Sequence, residues 1–462
     1  MAARLLPLAA LVASVSAVSV PLEETKTKTS PGVLSLPVYQ DIRIHPLENL
    51  RRRQVTDTDA PVLNVTSTTY LIELMIGTPG QDTKVAIDTG SSELWVNPNC
   101  VNAGSNAQTQ SCRANGQYNP EDSSSATITS QTGSITYGKG KVILQYVNDN
   151  IAIPGSDIAL RRTYFGYATD SIDLNRGILG LSFGEAVNNT GYRTVVDEMK
   201  AQNVIESLTM GIALGTKDEK TGSGLISFGG VDTKKYSGNL HTAPILPPQN
   251  GENLYRYWVQ LDSVGLSKSG SNAKTYSNSK FPVFFDTGAT LSYLPSALVD
   301  QLGSDLGGRL DSSVNMYVVP CNSRGTIDFK FGDYTMKVPL SEFIWQVSSS
   351  DCVLGADKAT DGAYLLGDSF LRSTYVVFDQ ETPALHFAPY VNCGTNLQKI
   401  PLGDNAAARF TGECQAGSNN GGGGGGGDSS GNDENAAGRS TAANIWIATG
   451  ALLAVQVFMS FL

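Results

Sequence analysis

The sequence predicts an all-β protein built from two duplicated lobes. Short apolar runs rich in Val, Ile, Thr and Tyr begin at Tyr70 and are separated by Gly, Asn and Asp, a pattern typical of strands joined by hairpins. A strand-like segment that ends in Asp-Thr-Gly occurs twice, at Asp88 and at Asp286. The chain of 462 residues is long enough for two domains that each bury a core. A single small binding module is therefore excluded.

Composition supports strands and turns over long helices. Charged residues make up 16% of the chain, below the ~25% of an ordinary soluble domain. We expect few and short helices, with the best candidates at residues 194–201 and 295–306. The clearest strand candidates are residues 70–76, 84–87, 140–146, 225–228 and 375–378.

The acidic balance of the chain excludes one class of partner. The formal net charge is -10 and the sequence pI is about 4.9. A surface of this sign repels phosphate backbones, so we expect no nucleic acid partner.

The first 53 residues have the features of two removable segments. Residues 1–17 combine one Arg, a short apolar run and small residues, which predicts a cleaved secretory signal peptide. Residues 18–53 carry six basic against four acidic side chains and end in Arg51-Arg52-Arg53, which predicts a basic propeptide cut at that run. A merely solvated charge cluster is the alternative interpretation of the three arginines.

The C-terminal part predicts a flexible stalk and a lipid attachment signal. Residues 393–444 are rich in Gly and Ser, and residues 445–462 are almost wholly apolar. Small residues at 435–437, a polar spacer and the apolar tail match a GPI signal, with Asn435 as the anchor candidate. This predicts a protein held on the outer membrane leaflet by a GPI lipid, at the plasma membrane or cell wall; the alternative is a tail-anchoring helix. Other possible attachment points are Gly431, Asn432, Gly438 and Ser440.

Six cysteines in a secreted chain favour disulfides. Local pairing would join Cys100 to Cys112 and Cys321 to Cys352, and leaves open whether Cys393 pairs with Cys414. Zinc is the alternative, but no Cys-x-x-Cys spacing occurs and the chain has three His, so we expect no metal and no cofactor. The N-glycosylation patterns begin at Asn64 and Asn188.

An internal repeat organises the core. Residues 85–91 recur in kind as residues 283–289, and the Leu-Gly element at 177–180 recurs in kind as 364–367, at a similar interval. We therefore expect an N-terminal lobe at 54–215 and a C-terminal lobe at 216–392. Each lobe presents one Asp-Thr-Gly carboxylate.

These motifs give the chain a resemblance to the pepsin-like aspartic proteases that runs from about residue 70 to residue 388. Asp88 to Ser92 with Leu94-Trp95-Val96 resembles the first active-site loop of that family, and Asp286-Thr287-Gly288 resembles the second. Residues 135–138 resemble the flap, residues 224–230 the interlobe strand and residues 366–371 the late second-lobe segment. The resemblance implies a bilobal fold with the active site in the cleft between the lobes, and an endopeptidase that hydrolyses proteins or peptides at acidic to mildly acidic pH.

The resemblance also implies roles for single residues. Asp88 and Asp286 would be catalytic, because water attack on a peptide bond needs one carboxylate as base and one carboxylic acid as proton donor. Thr89 and Thr287 would lock the two loops, Gly90 and Gly288 would permit the tight turns, and Ser91 would donate to Asp88. Tyr137 and Gly138 would belong to the flap, with Trp95 as partner of the Tyr137 hydroxyl.

Two positions depart from the family pattern. Ala289 stands where a Thr or Ser is common, so Asp286 lacks one hydroxyl donor and we expect a less acidic activity optimum. Lys139 in the flap would disfavour a basic substrate side chain, whereas the GPI-like tail resembles that of the fungal yapsins, which prefer basic sites. Substrate preference therefore stays open.

The leader and the lobes suggest three further expectations. We expect a monomer made as a zymogen, in which cations of the leader lie in the acidic cleft until its carboxylates are protonated. The rival hypothesis is a noncatalytic protein that retains the fold as a binding or scaffold module. A wall adhesin with a stalk would require tandem binding repeats, and the repeat found here carries the carboxylates instead.

Overall fold

The structure, a computed structural model, describes residues 27–44, 66–102, 106–138, 140–219, 224–348, 350–359 and 362–415. Several expected features lie outside these residues: the signal peptide 1–17, the run Arg51-Arg52-Arg53, Asn64, Lys139, Asn435, and the segments 416–444 and 445–462.

Strands dominate the described part of the chain. In chain order they are β1 (Lys28–Ser30), β2 (Val33–Ile44), β3 (Thr66–Ile76), β4 (Gln81–Asp88), β5 (Leu94–Val96), β6 (Thr127–Thr136), β7 (Lys141–Ala152), β8 (Ala159–Ile172), β9 (Gly177–Gly180), β10 (Thr209–Ala213), β11 (Gly224–Phe228), β12 (Gly230–Asp232), β13 (Ser237–Asn239), β14 (His241–Pro244), β15 (Trp258–Leu261) and β16 (Ser263–Lys268). They continue as β17 (Lys274–Thr275), β18 (Phe281–Phe285), β19 (Ser292–Leu294), β20 (Arg309–Asp311), β21 (Met316–Val319), β22 (Gly325–Phe331), β23 (Tyr334–Pro339), β24 (Trp345–Gln346), β25 (Cys352–Val353), β26 (Ala356–Lys358), β27 (Leu365–Leu366), β28 (Thr374–Asp379), β29 (Ala384–Pro389), β30 (Leu397–Lys399) and β31 (Thr411–Glu413).

Helices within the described residues are short. The α-helices are α1 (Asn106–Ala114), α2 (Val195–Ala201), α3 (Ser296–Asp305), α4 (Leu340–Phe343) and α5 (Asp368–Leu371). Single 3-10 turns occur at Cys100–Asn102, Pro120–Asp122, Glu185–Val187, Thr233–Lys235 and Ala406–Arg409.

Both helices expected from the sequence are present. Helix α2 begins after Thr194, whose hydroxyl accepts from the Asp197 N–H while the Asp197 carboxylate accepts from the Thr194 N–H. This reciprocal capping satisfies two backbone donors that a helix start leaves free. Helix α3 begins directly after Pro295. Pro is tolerated at a helix start because backbone N–H groups there have no partner within the helix, so its missing N–H breaks no helical hydrogen bond. Helix α1 was not anticipated.

One long sheet joins the two lobes. Its strand order is β14-β29-β28-β10-β11-β2-β3-β4-β9-β5-β8-β7-β6, so strands of the second lobe lie at one end and strands of the first lobe at the other. Smaller sheets complete the second lobe, among them β15-β18-β27-β19-β26 and β17-β16-β22-β23. The all-β bilobal expectation is confirmed.

The internal repeat corresponds to a repeated piece of sheet. Strand β4 pairs in parallel with β9, which pairs antiparallel with β5. In the second lobe β18 pairs in parallel with β27, which pairs antiparallel with β19. Each unit is a strand that ends at an Asp-Thr-Gly turn and lies beside the Leu-Gly element found in the sequence. Ile87 and Phe285, which precede the two aspartates, are fully buried in one shared apolar core.

The described part of the leader lies in the sheet. Strand β2 pairs with β11 on one side and with β3 on the other, which places it at the junction of the lobes. Asp41 of β2 forms an ion pair with the buried Arg176, and burial lowers the Arg176 pKa to about 10. Backbone pairing thus places residues 33–44 in the sheet, and the hypothesis that cations of the leader occupy the cleft stays a prediction.

The expected stalk does not begin at residue 393. Residues 393–415 are folded: β30 pairs with β12, β31 pairs with β13, and the Cys393–Cys414 disulfide closes the segment. Ile400, Ala406 and Ala407 pack in an apolar cluster beneath them. Sequence reasoning assigned this segment to the stalk because the pattern of short apolar runs ends after Pro389. The strand partners lie more than 150 residues earlier in the chain, so no local signal marks the pairing.

The structure contains disulfides that join Cys100 to Cys112, Cys321 to Cys352 and Cys393 to Cys414. Within the described ranges, no helix is both long and apolar enough to cross a membrane.

Candidate active site

The two Asp-Thr-Gly turns meet at the junction of the lobes. Asp88 ends β4, and its carbonyl accepts from the Leu181 N–H at 2.8 Å. Asp286 follows β18, and its N–H donates to the Leu366 carbonyl at 3.0 Å. Each carboxylate is therefore fixed by a parallel strand pairing within its own lobe. The buried strands hold the two turns rigidly against one another.

Four hydrogen bonds between Thr89 and Thr287 and their surroundings connect the turns. The Thr287 hydroxyl accepts from the Thr89 N–H at 3.1 Å, and the Thr89 hydroxyl accepts from the Thr287 N–H at 3.0 Å. Each hydroxyl also donates to the other lobe: Thr89 to the Phe285 carbonyl at 2.8 Å and Thr287 to the Ile87 carbonyl at 3.0 Å. Both threonine side chains are buried, so the hydroxyls use both donor and acceptor capacity without water.

The glycines of the turns allow the carboxylates to approach the opposite loop. A Cβ added at Gly90 would lie 2.8 Å from both Asp286 carboxylate oxygens, and one added at Gly288 would lie 2.5 Å from Asp88 Oδ1. Any side chain larger than hydrogen would push the carboxylates apart. The same glycines orient the carboxylates, because the Gly90 N–H donates to Asp88 Oδ1 at 2.8 Å and the Gly288 N–H donates to Asp286 Oδ1 at 2.9 Å.

The two halves of the site differ in one donor. Ser91 Oγ donates to Asp88 Oδ2 at 2.5 Å. In the second loop Ala289 occupies the equivalent place and has no hydroxyl. The next residue, Thr290, does not replace it, since its hydroxyl donates to the Thr68 carbonyl at 3.1 Å.

The second carboxyl of the pair is poised to hold a proton. Burial in the cleft raises the pKa of Asp286 well above its ordinary value, and the neighbouring Asp88 carboxyl raises it further. The Gly288 N–H and the Arg256 guanidinium oppose this rise but do not cancel it. A negative charge on Asp88 thus disfavours the ionisation of Asp286, which is the arrangement that two carboxyls need to share one proton.

A third carboxyl lies close to the pair. Asp368 begins α5 and is fully buried, and its two oxygens have no hydrogen-bond partner among the described residues. Burial raises the Asp368 pKa well above its ordinary value, Arg372 lowers it, and the charge of Asp286 raises it. The sequence motif at 366–371 contained this residue without assigning it a role.

The hairpin of β6 and β7 carries Tyr137 over the site. The Tyr137 N–H donates to the Gly140 carbonyl at 3.0 Å, which closes the hairpin, and Gly138 is exposed at its tip with open space around it. The Tyr137 hydroxyl accepts from Trp95 Nε1 at 2.7 Å. Burial raises the pKa of Tyr137, and the charge of Asp88 adds to the rise, so the phenol stays neutral and able to donate.

Sequence reasoning missed one residue that contacts the site from the second lobe. Arg256 lies just before β15, and its Nη1 donates to the Gly90 carbonyl of the first turn. No motif contains Arg256, and its contact is 166 residues away in the chain, so no local signal could have identified it.

The N-glycosylation candidate within the described residues lies at the surface. Asn188 is exposed and has a left-handed backbone, with φ of 58°. Among the described residues, no group of three or more His, Cys, Asp or Glu side chains is arranged to hold a metal ion.

The geometry agrees with comparisons to known proteins. A family model described as eukaryotic aspartyl protease matches residues 69–390. The chain is 30% identical over 399 residues to a protein named probable aspartic-type endopeptidase opsB of Aspergillus oryzae, covering 81% of this chain and 80% of that one. It is 32% identical to rhizopuspepsin-1 of Rhizopus niveus, with 70% and 79% covered, and 32% identical to secreted aspartic protease 8 of Candida albicans, with 69% and 75% covered.

Proposed function

The chain belongs to the eukaryotic aspartyl protease family and is an aspartic endopeptidase, and on this premise we propose that Asp88 and Asp286 are its catalytic pair. The observation that carries the proposal is the reciprocal hydrogen bonding of Thr89 and Thr287, which holds one carboxylate from each lobe beside the other. The raised pKa of Asp286 supports the sharing of one proton.

The pair would hydrolyse a peptide bond without a covalent intermediate. The ionised carboxylate takes a proton from a water molecule whose oxygen attacks the peptide carbon, while the protonated carboxyl gives its proton to the carbonyl oxygen. One hydroxyl of the tetrahedral diol then returns its proton to the ionised carboxylate as the carbon–nitrogen bond breaks, and the protonated carboxyl gives its proton to the leaving amine. The pair ends with one proton, as it began.

The supporting residues have defined tasks in this proposal. The Gly90 and Gly288 N–H groups and Ser91 stabilise ionised oxygens by hydrogen bonding. Tyr137 covers the site from the flap, where a lid limits the access of water to the substrate. Trp95 fixes the Tyr137 hydroxyl in place.

We further propose that the enzyme is a secreted zymogen displayed at the cell surface or wall through a GPI lipid. Support comes from the signal-like residues 1–17, the Arg51-Arg52-Arg53 run and the apolar residues 445–462, together with a relative named as a secreted protease. Release of the protein from cells by a phosphatidylinositol-specific phospholipase would be expected. Retention after that treatment, with release only by detergent, would favour a membrane helix.

The catalytic proposal is tested with a defined peptide mixture. Protein processed after Arg53 should cleave it between acidic and mildly acidic pH, and pepstatin should abolish cleavage. Cleavage that resists pepstatin, or the absence of any cleavage by folded processed protein, would contradict the proposal and favour a noncatalytic module.

A further inference from the structure

Arg256 connects the second lobe to the first catalytic turn. Its Nη1 donates to the Gly90 carbonyl, and its Nε and Nη2 donate to the two oxygens of Glu252 at 2.7 Å and 3.3 Å. The centre of its guanidinium lies 5.6 Å from the centre of the Phe284 ring. Gly90 follows Asp88 by two residues, and Phe284 on β18 precedes Asp286 by two residues. The Arg256 guanidinium therefore contacts a residue close in sequence to each aspartate.

These contacts fix the guanidinium in one orientation. Glu252 accepts from two nitrogens in the forked geometry that Arg matches and Lys cannot. The Arg256 side chain is only 22% exposed, which limits the screening of its charge by water. The carbonyl of Gly90 points at this cation from the opposite lobe.

We propose that Arg256 is a positioning residue of the catalytic pair, which braces the Gly90 turn from the opposite lobe and keeps a positive charge beside Asp286. The inference rests on the proposed catalytic roles of Asp88 and Asp286. In this role the Arg256 cation replaces part of the stabilisation of the Asp286 anion that a hydroxyl at position 289 would provide.

The electrostatic surroundings of Asp286 support this role. Asp88 faces Asp286 from the first turn, Asp368 from the start of α5 and Tyr293 from β19. The charge of Asp88 raises the Asp286 pKa, and the charge of Asp286 raises the pKa values of Asp368 and Tyr293. Burial and Asp88 raise the Asp286 pKa, and Arg256 lowers it. The carboxylate of Glu252 neutralises part of the Arg256 charge, so Arg256 and Glu252 together determine how far the Asp286 pKa is lowered.

The test is the pH profile of kcat/KM for peptide cleavage by Arg256→Gln, Arg256→Lys and Glu252→Gln. Arg256→Gln should move both limbs of the profile to higher pH by about half a unit, because the Asp286 anion loses a cation, and should lower kcat about tenfold. Arg256→Lys should keep the limbs in place while kcat falls, because the charge stays and the fork is lost. Glu252→Gln should move both limbs to lower pH, because the Arg256 charge is no longer offset.

The matched control is Arg193→Gln, since Arg193 is exposed and pairs with Glu185 outside the catalytic pair. Its pH profile should equal that of the wild type. The inference is wrong if Arg256→Gln leaves the profile in place, or if Glu252→Gln moves it in the same direction as Arg256→Gln. Should Arg256→Gln fail to fold, the downward shift in Glu252→Gln still decides the question. Full activity of Asp88→Asn would instead refute the catalytic pair itself.

Discussion

Thr89 and Thr287 bond reciprocally across the lobe junction, each hydroxyl accepting from the backbone N–H of the other. Neither turn can take its observed shape without the other, because each hydroxyl also donates to the carbonyl that precedes the opposite aspartate. The lobes must therefore be assembled before the carboxylates are in register.

Substituting Thr89 by Val should disrupt this arrangement. The isosteric change leaves the Phe285 carbonyl and the Thr287 N–H without their partners in a buried place, which should cost about 2–4 kcal/mol of unfolding free energy. Denaturant unfolding measures this cost, and activity should fall with it. Thr411→Val is the control, because Thr411 is exposed and its hydroxyl donates to the Asn239 side chain at the surface. Equal stability of the two variants would show that the reciprocal bonds do not hold the lobes.

Replacing Gly288 by Ala should abolish most activity. The new Cβ would lie 2.5 Å from Asp88 Oδ1, so the carboxylate must move away from its partner. A shift of this size in a reacting group lowers kcat by on the order of 100-fold. Gly191→Ala, at an exposed position where a new Cβ meets nothing within 4 Å, is the control and should stay within a few fold of wild type. Wild-type kcat in Gly288→Ala would contradict the tight approach of the loops.

Ala289→Thr should move the pH optimum downward. A hydroxyl there would donate to the ionised Asp286, which stabilises the anion and lowers the raised pKa of this carboxyl. Ala289→Val is the matched control, since Val has the size of Thr but no donor. The pH dependence of kcat/KM should shift for Thr and not for Val. An unchanged profile, or equal shifts in both variants, would contradict the role of the missing hydroxyl at position 289.

Asp368→Asn should change how stability depends on pH. The raised pKa of Asp368, due first to burial, means that its stabilising contribution is present below its unfolded pKa of about 4 and is lost as pH rises through the folded pKa. As the pH rises from about 4 through the folded pKa of Asp368, the wild type should therefore lose stability relative to the Asn variant. Thermal unfolding across this range measures the difference. Parallel curves would show that Asp368 titrates normally; exposed Asp404→Asn serves as control.

Removing the last disulfide should destabilise the folded C-terminal segment. The Cys393–Cys414 bridge closes a 21-residue separation and holds β30 and β31 against β12 and β13. Cys393→Ser combined with Cys414→Ser should lower the unfolding free energy by about 2–4 kcal/mol. Chemical unfolding of the oxidised protein checks this. Unchanged stability would mean that the disulfide adds nothing to the strand pairing and packing that hold this segment.

Local patterns in the sequence predicted much of the fold and the arrangement of the two turns. The repeated strand that ends in Asp-Thr-Gly predicted two lobes, because its apolar run and its turn glycine are adjacent in the chain. Besides helix α1, two elements escaped prediction: strand β2 in the interlobe sheet and the folded segment from Cys393 to Cys414. Both depend on pairing with strands far away in sequence, as does the contact of Arg256 with Gly90. Nothing in the sequence near these residues reports such partners.

The most direct test of the account compares Asp88→Asn and Asp286→Asn with the processed wild type, using cleavage of one peptide over the full pH range. Asn keeps the shape of each carboxyl but can neither take the proton of the attacking water nor share one. We expect each single variant to lose at least about 1,000-fold in kcat at every pH while remaining folded. Substantial cleavage by either folded variant would contradict the shared-proton pair.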